Sequence, residues 1–208
     1  MTSNWWLAAA RVVLGLLAMA AISRLIVVRS QLGGFHAVHF FSYFTILSNL
    51  YAALLLLSAG VSRRSASAML RGAAVVYMGV TGLVFALVLA RLAGDFILEV
   101  PAANAMLHDI MPVAVALDWL IDPPGARIEL WRSMWWLTFS TVYVVYILVQ
   151  GAVTGWYPYP FLNPNLHGGY PRVAVSIVVI GLGIVVLSLV VAAAGNALGA
   201  RRSKTANA

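Results

Sequence analysis

The chain contains no cysteine. That excludes a disulfide framework, a thiolate nucleophile and cysteine-held zinc. Charge is scarce too. Acidic residues number 6 and basic residues 13, together 9% of 208 residues, where a soluble domain carries about a quarter. An ordinary water-facing surface cannot be made from so little charge. The chain also lacks a phosphate-binding loop, an H-E-x-x-H and a G-x-S-x-G, so the commonest signatures of nucleotide, zinc-protease and serine-hydrolase chemistry are missing. A haem held between helices wants paired histidines inside apolar runs, and only His108 lies inside one. No cofactor and no metal site are expected.

Apolar residues fill the chain instead: 62% are hydrophobic and the mean hydropathy is +0.94. Crossing a membrane takes about 20 apolar residues at about 1.5 Å each. Six runs meet this length: Trp6 to Val28, Phe40 to Ala59, Leu70 to Leu92, Ala103 to Ile121, Ser133 to Val153 and Val173 to Ala194. The expected fold is an all-α integral membrane protein, a bundle of six transmembrane helices forming one domain over residues 1–200. Residues 201–208 form a short basic tail, expected to be disordered. The first run has no basic segment before it, so it reads as a retained span rather than a signal peptide.

The net charge of +7 reads as topology rather than nucleic-acid binding, because basic residues lie between and after the apolar runs. Arg63, Arg64, Arg71, Arg127, Arg132, Arg201, Arg202 and Lys204 fall on one side, and Arg29, Arg91 and Arg172 on the other. The positive-inside rule then expects both termini in the cytoplasm. Arg11 and Arg24 lie inside the first span near its ends and are expected to snorkel to the headgroups. Gly79, Gly82, Gly181 and Gly183 are expected to serve close helix packing.

Polar residues inside the spans carry the functional signal. The second run opens "FFSYFTILSNLY", which sets Ser42, Thr45, Ser48 and Asn49 at helical spacing on one face. Packing is the expected role of Ser42 and Ser48. The fourth run holds His108, Asp109 and Asp118, with Pro112 interrupting the ladder one turn after His108. The fifth holds Tyr143, Tyr146, Gln150 and Thr154. Thr45 and His108 each lie about five residues in from the same side, so both sit about 8 Å deep. Asp118 lies about 15 Å further along its helix, too far to orient His108 and better suited to pairing with an arginine. His36 and His39 at the outer edge have a spacing that suits a metal, but read as bystanders.

Three segments, "FFSYFTILSNL", "NAMLHDIMPVAVALDW" and "TGWYPYPFL", together resemble the androgen-induced membrane proteins of animals and their bacterial six-span relatives. The animal members are intramembrane threonine hydrolases of branched fatty acid esters of hydroxy fatty acids. The resemblance implies Thr45 as nucleophile and His108 as its base. It implies a lipid or fatty-acid ester as partner and, for a bacterial relative, the cell membrane as location. Asn49, Gln150 and Tyr159 are the candidate oxyanion donors, beside backbone N–H groups near Pro112; Asp109, Tyr146 or water are candidates to orient His108. The chain departs from the animal pattern at Ala105, where some members have a second histidine, and at Asn49, where they have aspartate. Its His-to-Pro spacing is also one residue shorter. Two other readings stand beside the hydrolase: a non-catalytic module that binds lipid or carries a small solute, and, ranked last, a redox protein.

Overall fold

The computed structural model describes residues 4–33, 35–89 and 100–206. Arg91 and the expected end of the third span at Leu92 lie outside the described residues. Among the described residues the regular structure is helical throughout. Helices are α1 (Trp5–Gln31), α2 (Ala37–Phe41), α3 (Phe44–Ser62), α4 (Ala68–Leu89), α5 (Pro101–Ile121), α6 (Leu130–Thr154) and α7 (Gly169–Ala206). All but the short α2 are long and apolar enough to cross a membrane. The six-span, all-helical expectation holds.

Local chemistry sets several helix ends. Ser67 caps α4, its hydroxyl accepting from the Leu70 N–H at 3.3 Å. Pro101 occupies the first turn of α5, where no N–H is needed. Gly155, at φ 74°, ends α6 in the left-handed region and donates its N–H to the Gly151 carbonyl at 2.8 Å. Small residues then let helices approach. A Cβ on Gly60 would lie 2.7 Å from the Ala8 carbonyl, and one on Gly15 3.0 Å from that of Ala53. α1 and α3 therefore touch nearly backbone to backbone, the usual solution where apolar surface has no water to escape. Gly79 and Gly82 also match the packing expectation, against Leu187 and Pro112. Gly181 and Gly183 do not: a Cβ on either meets nothing within 4 Å among the described residues.

Two expectations fail at one end of the bundle. Arg11 does not snorkel. It is only 5% exposed, and its guanidinium donates to Asp118 Oδ1 at 2.6 Å and Asp122 Oδ2 at 2.8 Å. Arg71 donates to Asp118 Oδ2 at 2.9 Å and to the Asp118 and Asp122 carbonyls. Carboxylates arriving from α5 make pairing inside the bundle available, and a paired guanidinium needs no headgroup. Asp118 thus finds its arginines, as its depth suggested; Arg24 stays exposed. The tail is not disordered over 201–206 but continues α7. Arg202 reaches back from it to Asp122 Oδ1 at 2.9 Å. Ser65 also donates to Asp122. Burial pushes the Asp122 carboxyl up, but the Ser65, Arg11 and Arg202 hydrogen bonds and the Arg71 charge outweigh it and hold it at about 2. This cluster ties the start of α1, the start of α4 and the far ends of α5 and α7 into one terminal end.

Candidate active site

At the opposite end, the second span is not one helix. α2 stops at Phe41 and α3 restarts at Phe44, so Ser42 and Tyr43 form a break. Neither proline nor glycine causes it. Side chains from α6 hold it open: the Tyr143 hydroxyl donates to the Ser42 carbonyl at 2.9 Å, and Tyr146 meets the Ser42 hydroxyl at 2.7 Å. The Ser42 hydroxyl also donates to the Val38 carbonyl at 2.6 Å. Ser42 and Ser48 are packing residues, as expected, with Ser48 bonded to Thr81 at 2.8 Å. The consequence falls on Thr45. It becomes the second residue of α3, at a helix N-terminus, where backbone N–H groups lack intrahelical partners and the dipole favours negative charge.

His108 reaches Thr45 from α5. Its Nε2 lies 3.2 Å from Thr45 Oγ1, and its Nδ1 lies 3.2 Å from the Asn104 carbonyl. A carbonyl only accepts, so Nδ1 carries the hydrogen and the Nε2 lone pair faces the threonine. The segment Met106–Ile110 is a π-turn, with the Met111 N–H bonded to the Met106 carbonyl. Such turns are rare and recur at functional sites. The Phe85 ring, in a second π-turn on α4, stacks on the imidazole with centroids 4.1 Å apart.

Tyr159 completes the group. The loop after Gly155 turns back into the bundle, and Tyr159 is buried. Arg172 pins it, donating to the Pro160 carbonyl and to that of His167 at 3.2 Å. The Tyr159 hydroxyl faces the Thr45 hydroxyl and the backbone N–H groups of Thr45 and Phe44. Burial pushes this phenol up to about 12, against the opposing effect of the Thr45 hydroxyl, so it remains a neutral O–H donor.

The other expected residues stand elsewhere. Asn49 is fully buried, and its amide N–H groups donate to the Thr45 carbonyl at 2.9 Å and the Leu107 carbonyl at 3.1 Å. It clasps α3 to α5 and sets Thr45 opposite His108, with no donor left for an oxyanion. Gln150 lines neither cavity beside Thr45; its amide is buried without a hydrogen-bond partner among the described residues. Asp109 is exposed on the far side of α5 from the cavities, because the residue after His108 turns about 100° away. Neither Asp109 nor Tyr146 orients His108; the Asn104 carbonyl does, a partner one helical turn back that hydropathy reading overlooks.

Two cavities meet at Thr45 and Tyr159. One, of about 300 Å³, is an apolar cleft between α4, α6 and α7, lined by Val80, Val84, Val144, Ile177, Ile180 and Gly181 among others. It reaches the bundle surface at Val145, which is 57% exposed. The other, of about 570 Å³, is a vestibule lined by His108, Asn104, Phe85, His36, His39 and Trp156 among others. His39 stacks on Trp156 at 4.0 Å. The arrangement supplies a hydroxyl, an imidazole poised to take its proton, neutral donors beside the hydroxyl, and space on two sides. No family model, curated protein or solved structure matches the chain.

Proposed function

We propose that the protein is an intramembrane ester hydrolase acting on a lipid or fatty-acid ester. One observation carries the reading: the 3.2 Å contact between Thr45 Oγ1 and His108 Nε2, with Nδ1 held on a carbonyl, at the junction of two cavities. A threonine hydroxyl is a weak nucleophile until a base within about 3 Å takes its proton. Thr45 Oγ1 bonds to the ester carbonyl carbon as its proton moves to His108 Nε2. The carbonyl oxygen becomes an oxyanion, which the Tyr159 O–H and the N-terminal N–H groups of α3 stabilise. The bond from carbon to the alcohol oxygen breaks, and His108 returns the proton to that oxygen. Water, deprotonated in turn by His108, then releases the fatty acid from Thr45.

The same groups are those the androgen-induced family resemblance singles out, and membership in that fold of threonine hydrolases is part of the proposal. So is the sidedness: with both termini cytoplasmic, as the arginine distribution favours, the site lies under the outer leaflet of a bacterial cell membrane. A non-catalytic binding module has no need of a base aligned on a hydroxyl in this way.

A fluorophosphonate probe tests the proposal. The wild type in membranes is expected to be labelled, and Thr45→Ala to lose the label while keeping its melting temperature. Equal labelling of the two proteins overturns the nucleophile.

A further inference from the structure

We infer that a bound ester lies with its acyl chain in the apolar cleft and its alcohol in the vestibule, and that Gly181 sets how long an acyl chain the cleft accepts. The inference rests on the hydrolase reading and adds a direction and a specificity residue to it.

The direction follows from which residues line which cavity. Thr45 and Tyr159 line both, whereas His108 lines the vestibule alone. In the acylation step the carbon–alcohol oxygen bond breaks and the proton on His108 goes to the departing oxygen. That oxygen must therefore lie on the His108 side. The acyl carbon stays bonded to Thr45 Oγ1, and the space left for its chain is the cleft. The linings agree. The cleft walls are mostly aliphatic, so each methylene buried there adds roughly fourfold in binding. The vestibule carries His36, His39, Asn104 and Trp156, which suit an alcohol bearing further polar groups.

Gly181 stands on the cleft wall. It is not a packing glycine. A Cβ on Gly79 would lie 2.8 Å from Leu187, whereas one on Gly181 meets nothing within 4 Å among the described residues and needs no special backbone angle. A side chain there projects into open cleft without displacing a neighbour. Glycine inside a helix weakens it, so its presence at this point is explained by the room it leaves. Gly183, two residues on, is equally unobstructed but does not line the cleft. It supplies a matched control.

The test uses the purified full-length protein, with Thr45→Ala giving the background rate. Substrates are p-nitrophenyl esters with acyl chains from acetate to palmitate, and butyrate esters of alcohols of increasing size. Gly181→Leu is expected to keep wild-type kcat/KM on acetate and butyrate. On long acyl chains it is expected to lose at least about tenfold, the equivalent of roughly two methylenes. Gly183→Leu is expected to follow the wild type throughout, and Gly181→Ala to place the cut-off between those of Gly181→Leu and the wild type. If Gly181→Leu folds poorly, the Gly181→Ala cut-off decides. A Gly181 variant that slows short and long acyl esters alike, or that changes the alcohol series instead, overturns the inference and leaves the hydrolase reading standing. A wild type with no Thr45-dependent turnover of any ester overturns the hydrolase reading itself, and the inference with it.

Discussion

At the terminal end of the bundle, Arg11, Arg71 and Arg202 meet Asp118 and Asp122 through ion pairs of 2.6 to 3.5 Å. At the other end, Thr45 and Tyr159 border two cavities and the His108 ring borders one of them, with the first N–H groups of α3 turned toward the Tyr159 hydroxyl. Both ends bury polar groups in an apolar bundle. One matches charge with charge and encloses almost no space: the cavity beside Arg71 and Asp118 is about 10 Å³. The other uses neutral hydroxyls and backbone groups and leaves two open cavities beside them. A satisfied charge network fixes helices against each other. A reactive centre needs the reverse, donors and acceptors with capacity unused until a transition state fills it.

The contrast predicts that substitutions at the two ends fail differently. Asp118→Ala takes from Arg11 and Arg71 the nearer of the two carboxylates they share and leaves both buried on Asp122 alone. It is expected to destabilise the protein by about 3–5 kcal/mol, read as a lowered melting temperature in detergent, while the folded fraction keeps wild-type kcat. A variant melting like the wild type would show that the network is dispensable. Tyr159→Phe is the counterpart at the site. It is expected to lower kcat about 10²-fold, with a melting temperature close to wild type; unchanged kcat would remove Tyr159 from the oxyanion site. The smallest effect is in acid. The Asp122 carboxyl is held at about 2, below its ordinary 3.8. A depressed value in the folded state means the stabilisation is complete above about pH 4 and is lost as pH falls toward 2. Melts between those limits are expected to fall more steeply for the wild type than for Asp122→Asn, and parallel slopes would assign the acid sensitivity elsewhere.

Six spans were legible because hydropathy over about 20 residues is all that a crossing helix requires. The meeting of Thr45 with His108 was legible from depth and from the resemblance, since their positions along the spans matched. Arg11 was misread. Its distance from the span end suited snorkelling, and nothing local announced carboxylates 107 and 111 residues away. The Ser42–Tyr43 break was invisible for the same reason, as its cause lies on α6. The two π-turns leave no mark in hydropathy, and the Asn104 carbonyl is backbone, which no residue pattern displays. Gln150 shares the level of Thr45 and Asp109 adjoins His108 in sequence, but a site also requires the right face, and neither residue lines a cavity beside Thr45.

The break at Ser42–Tyr43 has a consequence for how the protein is made. The groups that hold it, Tyr143 and Tyr146, follow Ser42 by 101 and 104 residues. A growing chain inserts α2 and α3 long before α6 is synthesised, so the threonine first enters the membrane without the contacts that set its final geometry. Only when the fifth crossing docks does the second gain the contacts that fix its break, so the placement of Thr45 is completed late in assembly.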